Sequence, residues 1–369
     1  MDRFKDAKDS DFGGDVFEKS TGELLSTTSN HAATVVSDAQ TISMSAYYHR
    51  VLQDATTRCV ELLSAKAPLP LPFRLRMDEW KNWEENSLVS VILTQFDLSD
   101  DTKRYLFQLY GRLAKRKDIW IRYFFGKSIY VEGLIGAGKS TLCKIFHLTF
   151  QLIAINARVY LEHKNKEYLE LFKSDMGAHA LGFQMYMITQ RILSSSLAVS
   201  ENLRDRSIQV FDRSLFGDRA FEQMHAKSGN ITPEGDKAYL VVLEQASKTI
   251  PPPDYLLKLE VNPDVAHERT EKRDDVDRGA YDRQYYLDLD EAYEVGFKKA
   301  QERNTGIVCY TINHDQQLDH FEAFGESQKR DSEIDWANMN VYLCISDAMD
   351  ILDRLVEKKS NWTKVCLID

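Results

Sequence analysis

Apolar residues recur along this chain in two different periods, and the change from one to the other sets out its organisation. Tyr48, Val51, Leu52, Ala55, Cys59 and Leu62 share one helical face and predict a helix that ends before Pro68. Pro68, Pro70 and Pro72 alternate with Leu69 and Leu71, which reads as a helix stop and stiff connector, with a polyproline ligand as the alternative. A second helix is predicted around Leu88–Phe96. A third follows Asp100, because Leu106, Leu109, Tyr110 and Leu113 form one stripe. After these, short β-branched and aromatic runs alternate with helical patterns: strands are predicted at Ser128–Glu132, Arg158–Glu162, Ile208–Asp212, Tyr255–Val261 and Ile307–Ile312. That alternation predicts an α/β fold, a parallel five-stranded sheet flanked by helices, with a helical N-terminal extension. Beyond Asn313 a polar stretch leads to a predicted strand at Val341–Ile345. A helix is predicted after Ser346, with Ala348, Ile351, Leu352, Leu355 and Val356 as its apolar face. The resulting division is a flexible arm at 1–40, a helical extension at 41–120, a core at 121–320 and a C-terminal extension at 321–369.

Between the first strand and the helix after it lies Gly133-Leu134-Ile135-Gly136-Ala137-Gly138-Lys139-Ser140-Thr141, the pattern of a phosphate-binding loop. Gly133, Gly136 and Gly138 permit positive φ and carry no Cβ, so successive backbone N–H groups can wrap a polyphosphate at the mouth of a helix. Lys139 is placed to reach the β- and γ-phosphates, and Ser140 to put its hydroxyl on Mg²⁺. In a parallel sheet the carboxyl ends of the strands face the ligand crevice. Glu162, Asp212 and Arg213 all fall at such ends, so three distant segments are expected to converge beside the loop.

Composition narrows the function classes. A net charge of −10 over 369 residues argues against a sequence-independent grip on nucleic acid, which needs a basic face. The five cysteines are scattered and form no C-x-x-C pair, which favours reduced thiols, and none of the histidines has a metal-ligand spacing, so no zinc is expected. The first residues lack an apolar leader, and no run approaches a membrane span, so a cytoplasmic protein with no membrane partner is expected.

From about residue 125 to 320 the chain resembles the deoxyribonucleoside kinase family, in the group of deoxycytidine, deoxyguanosine and bacterial deoxyadenosine kinases. Glu132-Gly133 through Thr141, Leu161-Glu162, Phe183-Gln184, Asp212-Arg213-Ser214 and an Arg-bearing helix from Glu268 carry the resemblance, in that order. It implies transfer of the γ-phosphate of ATP, with Mg²⁺, to the 5′-hydroxyl of a deoxyribonucleoside. Glu162 matches the family's general base, and Asp212 its partner to Ser140 on Mg²⁺. Arg213 is implied at the 5′-hydroxyl and the transferring phosphate. Phe183 and Gln184 match the aromatic that stacks on the base and the amide that reads its edge. Arg191 and Asp218 match a pair beside the base in the deoxycytidine and deoxyguanosine branches, so a purine substrate is implied, deoxyadenosine first, with deoxyguanosine and deoxycytidine open. The segment Asn165–Phe172 is similar to the bacterial deoxyadenosine kinase branch. Arg269, Lys272 and Arg273, then Arg278 and Arg283, resemble the family's lid over ATP, with Arg269 and Arg273 on one helix face.

The chain also departs from the family. His163 stands where proline is usual, Asp274-Asp275 interrupts the lid arginines, and Glu222 holds the place of a second stacking aromatic, with Phe221 adjacent. Lys173 falls where a tyrosine for the 3′-hydroxyl is usual, and Tyr168 is the expected stand-in. A nucleoside monophosphate kinase and a catalytically silent kinase-like subunit remain as other readings. The family resemblance further implies a homo-oligomer, a dimer through the core, with the apolar faces of the two extensions expected to pack against other subunits as a tetramer, and folding back over their own subunit as the alternative.

Overall fold

The computed structural model describes residues 88–163, 165–272, 279, 281–303, 307–313, 321, 324 and 334–366. The expected flexible arm, the Tyr48–Leu62 helix and the Pro68–Pro72 connector lie outside them. The sheet is five-stranded and parallel, in the order β2 (Ala157–Tyr160), β3 (Ile208–Asp212), β1 (Ser128–Gly133), β4 (Tyr255–Glu260), β5 (Val308–Asn313). Ile129, Val131, Val210, Leu256 and Leu257 are buried, as strands covered on both faces require. The register sets Val131 opposite Asp212 and Gly133 opposite Leu259, so β1 delivers the phosphate loop between the ends of β3 and β4.

The helices are, in chain order, α1 (Leu88–Gln95), α2 (Asp100–Ala114), α3 (Lys117–Phe124), α4 (Lys139–Leu152), α5 (Lys166–Ser174) and α6 (Met176–Asp205). After β3 come α7 (Leu215–Lys227), α8 (Pro233–Thr249), α9 (Pro263–Glu271), α10 (Arg283–Arg303) and α11 (Met339–Cys366). Their starts follow local chemistry. The Ser99 hydroxyl accepts the Thr102 N–H with Asp100 and Asp101 in the first turn of α2. Asn165 and Asp175 cap α5 and α6 in the same way, and Thr232 with Pro233 starts α8. Aromatic side chains stack over one sheet face, Tyr130 on Phe211 at 4.3 Å and Tyr160 on Phe211 at 4.7 Å.

Two sequence-based expectations are corrected. The second strand ends at Tyr160, so Glu162 lies just beyond it, where the chain leaves the sheet edge toward α5. Val341–Ile345 is not a strand but part of the first turns of α11. The run is locally compatible with either state, but Val341, Ile345, Ala348, Leu352 and Leu355 repeat at helical spacing and are all buried. The side chains of α11, α2 and α3 also close on their own chain. Leu106, Leu109, Leu113, Trp120, Phe124 and Leu352 are fully buried, Trp120 and Phe124 meet Phe150 of α4 edge-on, and Trp120 Nε1 donates to Asp353 at 3.0 Å. The described part of these apolar faces is thus largely covered within one chain, while Phe107, Ile119, Ile121 and Phe125 of the same region stay exposed.

Candidate active site

The phosphate loop is built to leave backbone donors open. Gly138, at φ 87°, stands at the N-cap of α4 with no side-chain hydrogen bond, so the first amides of the helix have no cap. Gly136, at φ 83°, lies against α9, and a Cβ there would meet the Thr270 hydroxyl at 2.7 Å. Lys139 is buried, and its ammonium donates to the Leu134 carbonyl at 2.6 Å. Burial, and then Arg213, pull its pKa down to about 7. Ser140 donates its hydroxyl hydrogen to Asp212 Oδ2, while Asp212 Oδ1 is buried with no hydrogen-bond partner among the described residues. A hydroxyl beside an orphaned carboxylate oxygen is the donor set a Mg²⁺ ion fits. Ala137 is buried within the loop, and Thr141 follows Ser140 in the first turn of α4.

The residues after the other strands come to the same place. Arg213 Nε lies 3.1 Å from Glu162 Oε1, and Arg191 Nη2 lies 3.4 Å from the same oxygen. Arg191 grips Asp218 with both prongs, at 3.1 and 3.0 Å, and donates to the Asp212 carbonyl at 2.8 Å. Burial works against the charge on Arg191, but Asp218, then Glu162 and Glu132, outweigh it and raise its pKa. Arg213 stands at φ 71°, a costly conformation for a side-chain-bearing residue, held by its N–H on the Val131 carbonyl at 2.9 Å.

One cleft joins these groups: Ile135 of the loop, Glu162 and Arg213, then Phe183, Gln184 and Asp218, with Leu169, Met187, Phe221 and Tyr281 completing its wall. Phe183 stacks on Phe172 at 4.8 Å, and Tyr168 meets Tyr186 edge-on at 4.8 Å. The free volume is 40 Å³. That is far below the ~300 Å³ at the small end of ligand sites, so any ligand of that size must displace part of the wall. Tyr281, stacked on Tyr285 at 4.4 Å, is the wall residue nearest the 273–278 stretch in the chain. Larger cavities of 390 and 740 Å³ lie at the strand starts around Asp254 and between α6, α7 and α8. They contain no phosphate-loop residue.

Most expected site residues are thus brought together. Arg269 sits half-buried on α9, which packs on the loop through Ala266 and Thr270, whereas Arg273 lies outside the described residues. Arg283 is exposed and paired with Asp264, at 2.5 and 3.0 Å. Lys173 pairs with Glu170 at 3.3 Å, and Tyr168 is buried beneath the cleft wall, not in it. Glu222, the departure from an aromatic already visible in the sequence, is fully buried and paired with Arg219. Glu132, which opens the loop motif in the sequence but was given no role there, is a fully buried carboxylate whose Oε1 accepts the Ser214 N–H and O–H at 2.5 Å each and the Gly217 N–H at 3.1 Å. A carboxylate inside the otherwise apolar first strand was the available signal.

The model of the deoxynucleoside kinase family matches residues 129–331. Among curated proteins, a deoxyguanosine kinase of Dictyostelium discoideum is 27% identical, covering 52% of this chain and 65% of its own length. A deoxyadenosine kinase of that organism is 26% identical, covering 40% and 57%, and one of Lactobacillus acidophilus is 30% identical, covering 39% and 66%. The chain therefore spans 57% to 66% of the length of these relatives. A solved deoxyadenosine kinase from M. mycoides with bound dATP aligns over 55% of this chain and 99% of its own, at 20% identity and a TM-score of 0.45. With more than half of its residues matched by the family model, the chain belongs to the deoxynucleoside kinase family.

Proposed function

We propose that the protein transfers the γ-phosphate of ATP to the 5′-hydroxyl of a deoxyribonucleoside, with deoxyadenosine preferred and deoxyguanosine or deoxycytidine as the alternatives. The observation that carries this is the shared cleft, in which a phosphate-loop residue, a carboxylate–arginine pair and a wall of aromatic and amide side chains meet. Relatives named as deoxyguanosine and deoxyadenosine kinases support the purine choice. Glu162 accepts the 5′-hydroxyl proton, and Arg213, ion-paired to it, steadies charge on the transferring group. Lys139 leaves the Leu134 carbonyl for the β- and γ-phosphates, which sit on the open amides of Gly138 and the first turn of α4. Ser140 and Asp212 would hold Mg²⁺, which neutralises phosphate charge when bound. Phe183 stacks on the base and Gln184 reads its edge, while the Arg191–Asp218 pair walls one side and leaves no room for an added methyl. Arg269 closes over the nucleotide from α9. In the same reading the chain is a homo-oligomer through its kinase core, which light scattering tests. Chromatography of reactions containing ATP, Mg²⁺ and each deoxyribonucleoside tests the activity: deoxyadenosine 5′-monophosphate is expected, and its absence together with that of every other 5′-monophosphate refutes the reading.

A further inference from the structure

Arg213 is not held by its own segment alone. Its Nη1 donates to the Gly133 carbonyl at 3.1 Å and to the hydroxyl of Tyr293, its guanidinium lies 4.8 Å from the Phe221 ring centre, and its Nε faces Glu162. Tyr293 belongs to α10, the helix that follows the 273–282 segment, and it is buried. Its hydroxyl donates in turn to Glu132 Oε2 at 3.1 Å. Glu132 meanwhile receives three donors from the start of α7 on its other oxygen. One phenol thus accepts from the arginine and donates to the carboxylate that fixes the turn after that arginine. Gly217 allows the arrangement, since a Cβ there would fall 2.5 Å from Glu132 Oε2 and 2.8 Å from the Tyr293 oxygen.

We infer that Tyr293 and Glu132 act together as positioning residues for phosphoryl transfer: they aim Arg213 at the transferring phosphate and tie α10 to the phosphate loop. The inference rests on the proposed role of Arg213. Neither side chain lines the nucleoside cleft, so their loss acts on the geometry of Arg213 and not on base or sugar contacts. Without the Tyr293 hydroxyl, Arg213 keeps Gly133 and Glu162 as partners and gains freedom to swing on a strained backbone. Without the carboxylate, the first turn of α7 loses its charged acceptor, and the phenol loses the group that orients its lone pair toward Arg213.

The test compares Tyr293→Phe, Glu132→Gln and the double variant, each assayed well below its own unfolding temperature. Tyr293→Phe is expected to lower kcat by ~10- to 100-fold, the worth of one hydrogen bond to a buried charge, with the nucleoside KM changed less than about threefold. The double variant is expected to lose no more than the worse single one, because the pair works as a unit. A near wild-type kcat in Tyr293→Phe, a raised KM with unchanged kcat, or losses that simply multiply would each overturn the inference. Should the wild-type chain phosphorylate no nucleoside, the functional reading falls by itself. The positioning claim is then decided by NMR exchange of the Arg213 Nε–H, assigned through its loss in Arg213→Lys. Exchange about tenfold faster in Tyr293→Phe supports it, and equal exchange overturns it.

Discussion

Nucleotide binding should draw a proton from solution at mildly alkaline pH, and Lys139 sets the size of the effect. In the free loop its ammonium is buried on a backbone carbonyl beside Arg213, and its pKa sits at about 7. Set against the ordinary lysine value of 10.5, holding it charged there costs on the order of 5 kcal/mol. A polyphosphate on the loop supplies the missing counter-charge and restores the ammonium. At pH 8 the free side chain is roughly one-tenth charged, so binding takes up ~0.9 proton, falling to ~0.1 at pH 6. Apparent affinity should accordingly weaken about tenfold per pH unit above 7, until the pKa of the complex is reached. The sign for stability is opposite. Between about 7 and 10.5 the unfolded chain holds more of this proton than the folded one, so this residue makes the free protein more stable as pH rises through that window. Calorimetric titration of ATP in two buffers of different ionisation enthalpy measures the uptake, with Lys139→Met as the control that should abolish it. An uptake below ~0.3 proton at pH 8, or one that survives in Lys139→Met, would refute the reasoning.

Other consequences follow from single contacts. Glu162→Gln should retain nucleoside binding and lose kcat by roughly 10²–10⁴, read by steady-state kinetics beside a binding titration. Asp218→Asn leaves Arg191 charged and buried without its bidentate partner, and should lower stability by about 3 kcal/mol in chemical denaturation while weakening base discrimination. Changing Arg191 and Asp218 together to small residues should shift preference toward thymidine; an unchanged substrate ranking would place base selection elsewhere. Leu352→Ala, in the buried seam of α11, should cost about 2–5 kcal/mol, because the helix is part of the core and not an appendage.

Much of the site was legible because its chemistry is local. Gly133 to Thr141 carries the loop within nine positions, and the β3 run ends on Asp212, just before Arg213, in both the sequence and the sheet. Glu162 was found although its strand ended early, since an edge strand can stop short without moving the turn that follows. Val341–Ile345 was misread because five apolar residues in a row fit strand and helix alike, and only the later Ala348, Leu352 and Leu355 decide the period. Tyr293 gave no local signal. It meets Glu132 across 161 positions of sequence, a contact that only the packing of α10 against α7 creates.

The most direct test of the account is side-by-side transfer from γ-labelled ATP to deoxyadenosine and to deoxyadenosine monophosphate, with Glu162→Gln as the control. The account predicts label in deoxyadenosine monophosphate formed from the nucleoside, little or none in diphosphate formed from the monophosphate, and loss of the labelled monophosphate in the variant. Label appearing only in the diphosphate would contradict it and identify a nucleoside monophosphate kinase instead.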